Sequence, residues 1–137
     1  MKIDTRLFGK IEINEENIIC FKEGIPGFEG YSKFVILDIE DGLMKCLQSI
    51  DNKNICFIII NPFDYFKDYQ VDLLDDEVKK LQILKEEDVA VFNILNIKEN
   101  EITANMLAPI VINLVKNIGM QIILQDSDYS IRQEIKC

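Results

Sequence analysis

The residues of this chain that could do chemistry are carboxylates, cysteines and a cluster of amides, with no histidine and no tryptophan among its 137 residues. Losing histidine removes the commonest general base and the commonest transition-metal ligand together. Catalysis would have to rest on carboxylates, Cys, Lys or Tyr. Paired carboxylates do occur, but in loops and at helix ends rather than isolated in apolar runs, where burial would shift a pKa. The chain has no Gly-rich phosphate loop, no nucleophile elbow and no Ser–His pairing. Asp38-x-x-Asp41-Gly42 and Asp126-x-Asp128 resemble fragments of calcium loops. Both lack the ligand spacing and closing Glu, so they read as solvated turn carboxylates. The expectation is a protein without enzymatic activity, metal or cofactor.

The cysteines are Cys20, Cys46, Cys56 and Cys137, with no C-x-x-C spacing. Cys20, Cys46 and Cys56 sit among apolar residues and are expected as small core hydrophobes; Cys137 is expected to be exposed. The N-terminus MKIDTRLFG has no apolar signal core, and no run approaches membrane-spanning length. A reduced, cytoplasmic location is therefore expected.

The amide cluster is the most informative segment. Between Thr103 and Asn113 the chain reads TANMLAPIVIN, apolar apart from Thr103, Asn105 and Asn113, with Pro109 inside. Proline cannot donate to a sheet ladder and is confined to edges, strand starts or bulges. This segment either serves an interface or folds irregularly.

Short β-branched runs must position these groups. They lie at Lys2–Phe8, Lys10–Ile13, Ile18–Phe21, Lys33–Ile39, Met44–Ile50, Ile55–Asn61, Val89–Ile97, Ile102–Met106, Ile110–Leu114 and Met120–Leu124. The run Ile55–Ile60 lacks alternation and reads as a central strand covered on both sides, although a buried helix has the same signature. Asp41-Gly42 predicts a tight hairpin and Asp51–Asn54 a longer one. One helix is expected over Asp76–Leu84, capped by Asp75, with Glu77 in its first turn and Val78, Leu81 and Leu84 on one face. The length fits one domain over residues 1–137, mainly β.

Other motifs are punctuated by Gly, Pro and aromatics. Residues 21–30 hold three of the six glycines, Gly24, Gly27 and Gly30, together with Pro26, Phe21 and Phe28. Such a loop has a defined shape. Asn61-Pro62 closes an apolar strand, and four aromatics follow within residues 63–69. They could form an exposed anchor patch or tuck into the end of the sheet. Gln48, between Leu47 and Ser49 inside a strand, is expected to face a partner or a neighbouring loop.

Net charge is −9. Residues 62–101 carry 5 cations against 11 anions, a net of −6. That field repels phosphate backbones, so direct nucleic-acid binding is not expected. It suits a basic protein partner, or it serves solubility alone.

In order, Thr5-Arg6-x-Phe8-Gly9, Phe21-x-x-Gly24-Ile25-Pro26-Gly27-Phe28, Leu47-Gln48-Ser49, Asn61-Pro62, Asp68-Tyr69, Thr103-Ala-Asn105-x-x-Ala108-Pro109-Ile-Val-Ile-Asn113, Gln121-x-x-Leu124 and Tyr129-x-x-Arg132 resemble the FliW family of flagellar assembly factors. Asn61 replaces a commonly acidic residue and Met106 a common Leu. The resemblance implies a compact antiparallel β semi-barrel with one or a few short helices. It also implies an antagonist that binds the translational regulator CsrA and relieves repression of flagellin mRNA, with flagellin as competing partner. The alternative is an export chaperone for flagellin alone. Candidate partner contacts are Asp64, Asp68, Asp72 and Glu77 on the acidic stretch, and Thr103, Asn105 and Asn113 at the strand edge that Pro109 interrupts. Gly24, Pro26, Gly27, Phe28, Gln48, Pro62 and Pro109 are expected to shape the scaffold. No membrane contact is expected.

Overall fold

A computed structural model describes residues 1–40, 42–125 and 127–135. Its strands are β1 (Lys2–Thr5), β2 (Gly9–Glu12), β3 (Ile19–Cys20), β4 (Lys33–Ile39), β5 (Met44–Ser49), β6 (Cys56–Ile60), β7 (Val89–Lys98), β8 (Glu101–Ala104), β9 (Ile110–Asn113), β10 (Ile118–Gln121) and β11 (Gln133–Glu134). The α-helix is α1 (Asp75–Lys80), and 3₁₀ turns occupy Glu15–Asn17, Pro62–Asp64 and Glu86–Asp88. The mainly β expectation is met.

Nine strands form one sheet in the order β11-β8-β7-β6-β5-β4-β3-β10-β9, and β9 returns to pair with β7. Strands β3, β4, β5, β6, β7, β9 and β10 thus close a ring. An odd number of strands cannot alternate direction all the way round a closed ring, so at least one pair must run parallel. That pair is β3–β10, joined at Ile118↔Cys20. Every other strand pairing among the described residues is antiparallel, as expected.

Two faces of the ring are covered, which explains the missing alternation in β6. Ile59 joins Phe21, Phe34, Leu47, Phe92, Ile110 and Ile112 in one buried cluster. Ile60, its neighbour, joins Leu81, Leu95, Val111, Ile118, Ile122 and Leu124 in another. A strand buried on both sides needs apolar residues at every position. β10 makes room for the first cluster with Gly119: a Cβ there would lie 2.6 Å from the Phe21 ring. The β1–β2 hairpin stands apart from the nine-stranded sheet and buries Ile3 and Ile13 with Val35 of β4.

Several expectations need correction. Helix α1 begins at Asp75 and ends at Lys80, with Leu74 rather than Asp75 as the capping residue. Glu77 Oε1 accepts from the Leu74 N–H at 2.8 Å. Gln82 then takes φ +54, which ends the helix and sends Leu84 into solvent (87 % exposed) while Leu81 is fully buried. Strand β10 starts two residues before its expected position, and β11 has no counterpart among the expected strands. Cys46 and Cys56, expected as separate thiols, are joined as a disulfide with Cα atoms 6.1 Å apart. The β5–β6 register pairs Cys46 with Ile58 and Gln48 with Cys56, so the two cysteines are diagonal cross-strand neighbours. Local spacing does not report such neighbours. Cys20 is a free, half-buried thiol. Asp41, Asp126 and Cys137, to which a turn, a carboxylate pair and an exposed thiol were assigned, lie outside the described residues.

Candidate functional site

Three polar residues build the corner around which the acidic segment is folded. Asn93, in the middle of β7, is fully buried. Its Nδ2 donates to the Asn105 carbonyl at 2.7 Å and to the Tyr69 hydroxyl at 3.2 Å. Tyr69 in turn donates to the Met106 carbonyl at 2.6 Å. Asn105 Oδ1 accepts from the Ala108 N–H at 3.0 Å, closing the turn that delivers Pro109 to the start of β9. Proline therefore stands where a strand tolerates it. The carbonyls of Leu107, Ala108 and Pro109 are all taken, by Leu124 N–H, Gln121 Nε2 and Ile122 N–H. Asn93 was missed in the sequence, although a polar residue inside VAVFNILNI was a visible signal.

The other amides are similarly internal. Asn113 is buried; its Nδ2 donates to the carbonyls of Leu81 and Gln82, and its Oδ1 accepts from Val115 and Lys116 N–H. Thr103 is buried on β8 opposite Asn96 and Glu134. Gln48 is fully buried, accepts from Arg6 N–H at 3.1 Å, and turns its Nε2 toward the carbonyls of Ser49, Lys53 and Ile55 at 3.0–3.2 Å. It faces a neighbouring loop, one of the two expectations made for it.

The aromatics of residues 63–69 mostly tuck in. Tyr69 is buried and packs edge-on against Tyr129, ring centroids 4.8 Å apart. Burial raises the Tyr69 pKa; the Asn93 hydrogen bond opposes this and Tyr129 adds to it. Tyr65 and Phe66 are half-buried against the second cluster. Phe63 stays 45 % exposed. Asn61 Oδ1 caps the 3₁₀ turn by accepting from Phe63 N–H at 3.0 Å, and Pro62 fills the first position of that turn.

Below Phe63 lies a groove of about 510 Å³. Val89 and Val91 of β7 and Val111 of β9 line it, with Val71, Leu73, Val78 and Ile83 from the segment around α1. Asp72 and Glu86 stand among its lining residues. An apolar interior with carboxylates at its margin suits an amphipathic cationic ligand.

Of the acidic candidates, Asp72 lies in this groove. Asp68 borders a neighbouring hollow of about 290 Å³ with Phe66, Tyr69, Met106 and Tyr129. Asp64 is exposed on its 3₁₀ turn, and Glu77 is occupied in capping α1. Lys80 bridges Glu23 at 3.1 Å and Asp76 at 3.3 Å, which ties α1 to the glycine loop. Those contacts hold the exposed Lys80 ammonium above its ordinary pKa, through the Glu23 bond first and the Asp76 bond second. In the glycine loop, Gly24 has φ +70 and Gly27 φ +88; Pro26 is exposed, and Phe28 packs edge-on against Phe57. Among the described residues no three Cys, Asp or Glu side chains converge to hold a metal. Among the described residues no helix is long and apolar enough to cross a membrane.

A two-faced ring of strands with a short helix beside one acid-margined groove defines a class of small β-ring domains. The FliW protein family model matches residues 2–135. The flagellar assembly factor FliW of Caldicellulosiruptor saccharolyticus is 47 % identical over 132 residues, covering 95 % of this chain and 87 % of that one. The factor of Geobacillus thermodenitrificans is 42 % identical over 137 residues, covering 98 % and 95 %. A crystal structure of a flagellar assembly factor FliW superposes with a TM-score of 0.94 at 41 % identity, covering 98 % of this chain and 96 % of that one. The chain belongs to the FliW family of flagellar assembly factors.

Proposed function

We propose that this chain works by binding other proteins rather than by catalysis: it captures CsrA in the cytoplasm, relieving repression of flagellin mRNA translation, and flagellin competes for it. The observation that carries the reading is the acid-margined groove within a segment of net charge −6. CsrA, as a small basic RNA-binding dimer, is the complement of such a surface, and opposite fields speed and orient docking. Asp64, Asp68 and Asp72 are the side chains proposed to attract it. Glu77 contributes field while capping α1. Thr103, Asn105 and Asn113 are proposed to act on partners by holding the strands and loops that frame the surface.

Mixing the pure chain with CsrA on a sizing column, with and without flagellin, tests this. A complex with CsrA that flagellin dissolves is the expected result. Binding of flagellin with no CsrA complex would replace the proposal by an export chaperone for flagellin alone. The CsrA association rate should fall as salt rises; a salt-independent rate would remove the acidic segment from the mechanism.

A further inference from the structure

The Cys46–Cys56 disulfide lies on the face of the sheet that carries the β1–β2 hairpin. Side chains alternate faces along a strand. Leu47 is buried in the first cluster and Phe57 packs against it, so Cys46, Gln48 and Cys56 point the other way. Residues opposite each other on neighbouring strands share a face. The registers set Leu37 beside Cys46, and Val35 and Cys56 on either side of Gln48. On that face Val35 is buried with Ile3 and Ile13, and Leu37 packs against them. Gln48, directly opposite Cys56, also holds the hairpin: its Oε1 accepts from Arg6 N–H at 3.1 Å. The two sulfurs differ in access, since Cys46 is fully buried and Cys56 half-buried.

We propose that this pair is a reversible thiol-exchange site, entered at Cys56 by a small thiol of the glutathione class, and that its state sets how firmly the β1–β2 hairpin sits on the sheet. A thiolate, its proton released to solvent, attacks Cys56 Sγ. The bond to Cys46 breaks and its electron pair leaves on Cys46 Sγ, which takes a proton. A second thiolate attacks the small thiol's sulfur in the mixed disulfide and frees Cys56, which is protonated in turn. Two small thiols become one disulfide, and the protein disulfide becomes two cysteines. Bonded sulfurs lie about 2.05 Å apart, well inside van der Waals contact, so two separate thiols need more room. Around the buried Cys46 that room must come from a neighbour. β5 is held by ladders to β4 and β6, whereas the hairpin forms a two-stranded sheet of its own. The hairpin is the neighbour that yields, and the Gln48–Arg6 bond opposite Cys56 goes with it. A lifted two-stranded hairpin frays, because such a unit is marginal in water. Oxidising conditions clamp the hairpin; a reducing thiol pool releases it. None of this draws on the partners proposed above.

The test holds the whole chain in buffers of reduced and oxidised glutathione at stepped ratios, then quenches with acid and counts alkylated thiols by mass. The pair should pass from disulfide to dithiol and back as the ratio is reversed. In partly reduced chain, peptide mapping should place glutathione on Cys56 and not on Cys46. Amide hydrogen exchange across residues 2–12 should speed up about tenfold on reduction, while Val89–Lys98 stays as slow as before. Cys46→Ala combined with Cys56→Ala should show one hairpin exchange rate at every ratio, which excludes Cys20 as the source. A pair that stays open or closed at every ratio would overturn the inference. So would glutathione on Cys46, hairpin exchange that ignores reduction, or exchange that speeds up equally throughout the chain. A redox response that survives in the double variant would sink it as well.

Discussion

The Asn113 side chain donates to the Leu81 carbonyl at 2.9 Å and so fastens the end of α1 to the end of β9. The same amide serves Gln82 O, Val115 N–H and Lys116 N–H. Asn113→Ala removes every one of these partners at a site 2 % exposed. Leaving buried groups unpaired should cost about 2–3 kcal/mol. A chemical denaturation midpoint unchanged from the parent would show that the corner does not depend on this amide.

Tyr69 offers a test by pH. Its raised pKa, caused first by burial, means the native state holds the phenol proton longer than the unfolded chain. The stability this contributes is complete below the unfolded value of about 10 and is lost as pH rises through the folded one. Melting temperature between mildly and strongly alkaline pH should therefore fall more steeply in the parent than in Tyr69→Phe. At neutral pH that variant, lacking the bond to Met106 O, should be about 1 kcal/mol less stable. Parallel alkaline slopes would refute the buried phenol.

Gly24 and Gly30 separate space from mere loop membership. A Cβ at Gly24 would lie 2.6 Å from the Glu29 Cα, on a backbone already at φ +70, whereas Gly30 has open space around it. Gly24→Ala should lose more than about 2 kcal/mol and Gly30→Ala well under 1. Thermal unfolding of the two variants side by side decides this; similar losses would contradict the loop geometry.

Thiol titration of denatured, unreduced chain should find two thiols, because four cysteines are present and Cys46 is bonded to Cys56. Four thiols before reduction would place the pair in the reduced state that a cytosolic protein ordinarily keeps.

Much of the scaffold was legible in the chain. The β-branched runs gave most strands, because alternation and punctuation are local and each strand obeys them within its own few residues. Pro109 marked an edge, a strand start or a bulge for the same reason, and the structure decided for the start of β9; the glycine loop declared its shape through residues that tolerate positive φ. The ordered motifs were enough for the family.

Ring closure was not legible, since pairing β7 with β9 and β3 with β10 depends on contacts across the whole chain. Neither was the parallel pair, which follows from the odd strand count once the ring exists. Asn105 and Asn113 had an ambiguous local signature; tertiary contacts made them ties between distant segments. The acidic composition of residues 62–101 came from sequence, but the groove came from packing α1 against β7 and β9. Pro62 shows the division most directly. Its lack of an N–H is written in the residue itself; that Pro62 falls opposite Val91, beside the groove, depends on the register of two strands about thirty residues apart in the chain.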